Sequence, residues 1–191
     1  MITLYSGLLR NGKDLNLIRD MYKVLVKEKK NVISNVPINM DLVTKNGRRS
    51  TGEFTYLPND KLTVPFLIEY SEKNHRPYRE GETVVFIYGA EYMFNTYYNK
   101  SLNVVEWYDF LGAIKKYAYY INIEAEISTL IEREIRIFIC NEVNHNTISR
   151  TLQIYRAITK WYGLGHIVGV KVLKNSNKYM RMYSKQPSPA G

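Results

Sequence analysis

With only one cysteine, Cys140, this 191-residue chain has no disulfide framework. Cys140 closes the apolar run Ile137 to Cys140, where a buried structural thiol is expected. No apolar run approaches the roughly 18 to 20 residues of a membrane span, and the first residues lack the basic start of a secretory signal. A soluble, cytoplasmic chain is therefore expected. His75, His145 and His166 lie far apart in sequence, and no acid or cysteine pattern supplies metal-site spacing, which argues against structural zinc. There is no GxSxG nucleophile turn. With 45% hydrophobic and 24% charged residues, the chain is long enough to bury a core as one domain without staples.

Acidic residues also run out: Glu142 is the last of them. Beyond it stand Arg150, Arg156, Lys160, Lys171, Lys174, Lys178, Arg181 and Lys185, which carry most of the formal net charge of +9. Tyr155, Trp161, Tyr162, Tyr179 and Tyr183 are interleaved with them. Such a composition suits phosphate contact and base stacking, so residues 143 to 191 are a candidate surface for single-stranded nucleic acid or anionic membrane. Arg150, Arg156, Lys160, Lys171 and Lys174 are the candidate contacts, and a solvated basic face is the plainer alternative.

Hydrophobic period organises the rest. Ile2 to Ser6 reads as a strand, and Leu15, Ile18, Tyr22 and Leu25 recur at helical spacing after it. Asn31 to Val36 reads as a second strand, in a parallel βαβ unit. Residues 41 to 60 are polar, with Asn46-Gly47 as a turn, and are expected to leave the sheet. Pro65 suits the first turn of a helix reaching about Lys73. Thr83 to Tyr88 is uncharged, β-branched and aromatic, as a strand covered on both faces requires. Further elements are a helix Trp107 to Tyr117, a strand Tyr119 to Ile123, a short helix Ile127 to Glu134, and a strand Ile135 to Cys140. A helix Leu152 to Trp161, a turn at Gly163-Leu164-Gly165 and a strand His166 to Leu173 complete the reading, with a disordered tail Gln186 to Gly191. This alternation predicts an α/β fold of three layers, a mainly parallel sheet flanked by helices.

The strongest chemical signal lies between the first strand and helix: Gly7-Leu8-Leu9-Arg10-Asn11-Gly12-Lys13-Asp14. It meets GxxxxGK, in which glycines let backbone N–H groups turn toward phosphate oxygens and the lysine reaches the terminal phosphates. The hydroxyl that normally holds magnesium is replaced by Asp14. A carboxylate about 4 Å from a phosphate charge, at an effective dielectric near 20, repels it by roughly 4 kcal/mol. Asp14 reads either as a magnesium ligand that lowers this repulsion or as the N-cap of a helix beginning at Leu15. Arg10 adds attraction, while the bulk of Leu8 and Leu9 crowds the cradle. Gly7, Arg10, Asn11, Gly12, Lys13 and Asp14 form the candidate nucleotide site.

The arrangement resembles the N-terminal ATPase domain of the zonular occludens toxin (Zot) family, which includes filamentous-phage assembly ATPases. The likeness rests on ITLYSG and Gly12-Lys13, NVISNVPI at Asn31 to Ile38, VVFIYGAEYMFN at Val84 to Asn95, EWYDFLGAIKKYAYYINI at Glu106 to Ile123, LIEREIR at Leu130 to Arg136, and GHIVGVKV at Gly165 to Val172. It implies a RecA-like P-loop NTPase fold, ATP and Mg2+ as ligands, and a homo-oligomer working with phage assembly proteins at the cytoplasmic face of the inner membrane. Where the family presents an Asp-Glu pair after the central strand, this chain has Tyr88 and Gly89. Where it presents a polar γ-phosphate sensor, this chain has Ala125-Glu126. Glu91 and Glu126 are the candidate stand-ins, with Glu91 otherwise a surface acid. Glu124 points to the same side of an extended strand as Glu126, and the two are expected to repel anions. Arg133 is the candidate arginine for a neighbouring subunit's nucleotide, against an ordinary role for Arg133 and Arg136 in ion pairs with Glu132 or Glu134. Loss of the acid pair and of the hydroxyl implies weak or absent hydrolysis, a pseudo-enzyme on an ATPase fold.

Overall fold

The computed structural model describes residues 1–76, 78–175 and 177–182. Its core is an eight-stranded sheet in the order β3-β2-β4-β5-β1-β6-β7-β8. The strands are β1 (Ile2–Ser6), β2 (Asn31–Ser34), β3 (Phe54–Tyr56), β4 (Thr83–Ile87), β5 (Tyr119–Ala125), β6 (Ile139–Ser149), β7 (Ile154–Trp161) and β8 (Ile167–Lys174). The pairings from β3 through β6 are parallel, and the last two are antiparallel.

Strand alternation sends two sets of side chains to opposite faces. Leu4, Val85, Ile87, Ile121 and Ile123 meet α3 (Val64–Asn74), α5 (Val104–Gly112) and α6 (Arg133–Arg136) through Leu67, Trp107, Phe110 and Ile135. Tyr5, Val84, Phe86 and Val143 meet α1 (Lys13–Lys23), whose last turn widens into a π-helix at Val24–Glu28, through Leu17, Met21 and Leu25. The short helices α2 (Met40–Thr44) and α7 (Asn177–Met182) cover the same face with Val43 and Met182. Helices on both faces of a mostly parallel sheet make the three layers read from the sequence.

Pro65 does sit in the first turn of α3, and all five side chains of β4 are buried. Other elements differ from expectation. Residues 41 to 60 are not wholly an excursion: Phe54–Tyr56 returns as β3 and pairs in parallel with β2 at the sheet edge. The segment Ile127 to Glu134 holds a 3-10 turn at Ser128–Leu130, and α6 takes Ile135, so the next strand begins later, at Ile139. Cys140 follows it and is exposed rather than buried, because strand alternation turns Ile139 inward.

The largest difference is at Leu152 to Trp161, which is β7 and not a helix. Ile154, Tyr155, Ile158, Thr159 and Trp161 are β-branched or aromatic, and pairing with β6 on one side and β8 on the other decides the matter. Consequently Gly163 and Gly165, with φ of 78° and 67°, turn a hairpin rather than end a helix. The tail Gln186 to Gly191 lies outside the described residues. Among the described residues no helix is long and apolar enough to cross a membrane.

Candidate functional site

The loop from Gly7 to Lys13 leaves β1 at the carboxyl edge of the parallel strands and enters α1 directly. Two glycines shape it. Gly7 has φ 135°, and a Cβ there would lie 2.8 Å from the His145 carbonyl oxygen. Gly12 has φ 88°, and its Cβ would lie 2.5 Å from the Tyr155 ring. Neither place tolerates a side chain, which is the physical reason for glycine at both. Gly12, not Asp14, is the N-cap of the helix; the Asn16 N–H donates to its carbonyl at 3.0 Å. Asp14 lies instead inside the first turn, near the positive end of the helix.

Beneath the loop, buried polar groups fix its path. Asn11 Nδ2 donates to the His145 carbonyl at 2.6 Å, and Asn11 Oδ1 accepts from the Lys13 N–H at 3.4 Å. His145 Nδ1 is 3.0 Å from the Ser6 carbonyl, and its Nε2 is 3.1 Å from Asn16 Nδ2. A carbonyl only accepts, so Nδ1 carries the proton and Nε2 accepts from Asn16. The ring also stacks on Tyr5. Burial pushes the His145 pKa down to about 4, with the Lys13 and Lys171 charges adding to this against two backbone hydrogen bonds.

A stability consequence follows with a definite sign. The unfolded chain takes up this proton near the ordinary histidine value and the folded chain does not until about pH 4. The contribution is thus complete above roughly pH 6.5 and is lost as pH falls from there to 4, about 3 kcal/mol in all. Denaturant melts at pH 7 and pH 4.5 should show this loss in the wild type, and His145→Gln should flatten it. An unchanged slope in the variant would assign the acid sensitivity elsewhere.

Lys13 is 3% exposed and does not reach into the loop: its Nζ lies 2.5 Å from Glu124 Oε1. Glu124, 2% exposed, is the last residue but one of β5, opposite Tyr5 of β1, and its Oε2 accepts the Gly89 N–H at 2.8 Å. The side chain expected to repel anions beside Glu126 is therefore the partner of the loop lysine. Sequence reasoning missed this role. The available signal was an acid inside the apolar run of β5, in register with the end of β1.

Glu91 is not a surface acid. It is 8% exposed on α4 (Ala90–Met93), and its Oε2 is buried without a hydrogen-bond partner. Burial pushes its carboxyl up, and the Glu124 and Glu126 charges add to this against Lys13. Asp14 is similar: its Oδ1 is buried and unpartnered, and burial and then Glu124 push it up while Lys13 pulls it down. Glu126 lies past the strand end, where its carbonyl accepts the Gly7 N–H at 3.0 Å and it lines a cavity of about 290 Å3 with Asn11, His145 and Arg150. Lys13, Asp14, Glu91 and Glu124 thus form one electrostatic cluster with Glu126 at its margin.

Other candidates fall elsewhere. Leu8 and Leu9 are exposed, at 71% and 73%. Arg10, at φ 62°, lines a cavity of about 430 Å3 with Leu9, Thr147, Arg150, Gln153 and Tyr155. Arg133 is exposed on α6, and among the described residues no hydrogen bond or ion pair joins it to the loop. Among the described residues no ion pair joins Arg133 or Arg136 to Glu132 or Glu134; Glu132 Oε1 accepts from the Thr96 N–H and hydroxyl, which together with the Arg136 charge hold its carboxyl down. Among the C-terminal cations, strand register places Arg156, Lys160 and Lys174 on one face of β7 and β8 and Lys171 on the other. Lys160 pairs with Glu142 at 3.1 Å, Arg156 stands opposite Asn146, and Lys171 joins Arg19, Lys23 and Lys27 around a separate cavity of about 380 Å3.

A parallel sheet with its glycine loop after β1, that strand lying beside β5, and β4 next beyond, defines the RecA-like P-loop NTPase fold. Solved structures agree. The N-terminal domain of zonular occludens toxin from Neisseria meningitidis superposes with a TM-score of 0.58 and 14% identity, over 96% of this chain and 98% of that one. The genome packaging NTPase B204 from Sulfolobus turreted icosahedral virus 2, in complex with ATP-gammaS, gives 0.58 and 14%, over 90% and 95%. A further solved ATPase domain gives 0.60 and 9%, over 97% of this chain and 84% of that one. By sequence the chain matches no family model and no curated protein.

Proposed function

We propose that this chain is a nucleotide-binding domain of a phage assembly or packaging machine, which binds ATP through Gly7 to Asp14 and hydrolyses it slowly. One observation carries the reading: a buried lysine, Lys13, opens α1 from a two-glycine loop at the carboxyl edge of a parallel sheet. Backbone N–H groups and the helix end there favour an anion. Tight packing against Tyr155 and His145 fixes the loop, so little ordering remains when phosphate arrives.

Magnesium suits Asp14 chemically, since Mg2+ takes carboxylate and phosphate oxygens and Asp14 Oδ1 is buried without a partner. Among the described residues no group of three or more acids, histidines or cysteines is placed to hold a metal ion alone. The ion would therefore enter with the nucleotide and reduce the repulsion between Asp14 and phosphate. Arg133, exposed and without an ion pair among the described residues, is the group this reading offers to a neighbouring copy.

Calorimetric titration with Mg-ATP tests the proposal. The wild type should bind, and the variant Lys13→Ala/Glu124→Ala, which removes the buried pair together, should lose roughly 10- to 100-fold in affinity with the charge-assisted contact. Equal affinities in the two proteins would refute nucleotide binding at this loop.

A further inference from the structure

The end of β4 lacks the acid that a hydrolytic P-loop site needs, yet a carboxylate stands beside that end. Gly89 occupies the place without contributing a side chain, and its N–H donates to Glu124 Oε2 from the neighbouring strand at 2.8 Å. The other carboxylate oxygen, Oε1, holds Lys13 at 2.5 Å. Glu124 thus bridges the loop lysine and the β4 terminus, the two points between which a γ-phosphate and its attacking water must lie.

Resting on the nucleotide reading above, we infer that Glu124 is the general base of this site. It neutralises Lys13 while the loop is empty and accepts the proton of the attacking water once Lys13 turns to phosphate. The step balances without a further reactant. The water oxygen forms a bond to the γ-phosphorus, the bond from that phosphorus to the β–γ bridging oxygen breaks, and one water proton passes to the Glu124 carboxylate. Nucleoside diphosphate and phosphate leave, and the proton is returned to solvent.

Four features favour Glu124 over its neighbours. Glu91 is buried with Oε2 unpartnered, burial pushes its carboxyl up, and among the described residues it makes no contact with Lys13 or the β4 end like those of Glu124. Glu126 lies beyond the strand, on the cavity beside Asn11 and Arg150. Glu124 alone touches both the loop lysine and the β4 end. The Gly89 N–H also fixes the carboxylate, so its orientation survives the departure of Lys13.

The test compares Glu124→Gln, Glu124→Asp, Glu69→Gln and Lys13→Ala with the wild type, by Mg-ATP calorimetry and single-turnover hydrolysis, with a thermal melt of each. Glu124→Gln should bind Mg-ATP at least as tightly as the wild type, because a negative charge near the phosphates is gone. Its hydrolysis should fall on the order of a hundredfold. Glu124→Asp should retain part of the rate, and Glu69→Gln, at an exposed acid paired with Lys73 on α3, should leave it unchanged. Unchanged hydrolysis in Glu124→Gln overturns the inference, as does a wild-type rate no higher than that of Lys13→Ala. Loss of the fold in both Glu124 variants would make the residue only the structural partner of Lys13 and would likewise overturn it. Absence of Mg-ATP binding in every protein would instead defeat the nucleotide reading itself.

Discussion

Lys13→Ala is expected to destabilise the protein by about 3 to 5 kcal/mol, because it leaves the Glu124 carboxylate buried without its cation. At this chain length each kcal/mol lowers the melting temperature by about 2 to 4 °C, so a fall of roughly 6 to 20 °C is expected. Glu124→Ala should cost a similar amount by stranding the Lys13 ammonium. The double variant should lose much less than the sum of the two, since it removes both charges and leaves only a small polar void. Removing one member of a buried pair is far worse than removing both. Denaturant melts of the four proteins measure this directly. Additive losses would mean that the 2.5 Å contact carries little coupling and that each residue is held by its other surroundings. The same result bears on function. Where coupling is strong, phosphate entering the loop must replace Glu124 as the partner of Lys13, and nucleotide affinity is reduced by the strength of the pair it breaks.

The sequence made the frame of the fold legible where local pattern and tertiary placement agree. The charge-free run of β4 and the proline at the start of α3 each have one physical solution, and the structure adopts it. Gly7, Gly12 and Lys13 were legible for a similar reason, because positive backbone angles and close packing leave little choice of residue at the two glycines. What stayed hidden depends on partners distant in sequence. The apolar residues of β7 fit a helical period, and only the ladders to β6 and β8 make them a strand. Asn141 to Asn146 are too polar to read as an interior strand, yet Ser6, Lys160 and Asn16 satisfy Glu142, Asn144 and His145 there. The reading of Glu124 as a repeller of anions was the most consequential difference, since it pairs with Lys13. Glu126 stands where a departure from the resembled pattern draws attention, whereas the pairing of Glu124 emerges only when β5 is laid beside β1 and the loop lysine folds back over it.

Returning the acid to β4 should restore hydrolysis only when Glu124 is removed. From sequence alone, Asp14→Thr with Tyr88→Asp and Gly89→Glu is the natural repair of the missing hydroxyl and acid pair. The structure adds a condition. With Glu124 in place, the new carboxylates join Glu91 and Glu124 around a single ammonium, and each like-charge pair at about 4 Å costs roughly 4 kcal/mol at an effective dielectric near 20. Gly89 also has φ 61°, and a Cβ there would lie 3.0 Å from the Tyr92 ring, so the Gly89→Glu change brings about 1 to 2 kcal/mol of backbone strain. Asn35, whose side chain bonds both the N–H and the carbonyl of Tyr88, should nonetheless keep the strand end in position. The triple variant on the wild-type background is therefore expected to gain little. On a Glu124→Ala background it should regain on the order of a hundredfold in single-turnover rate over Glu124→Ala alone. A quadruple variant that folds, binds Mg-ATP and stays at the Glu124→Ala rate would show that the β4 terminus does not face the γ-phosphate.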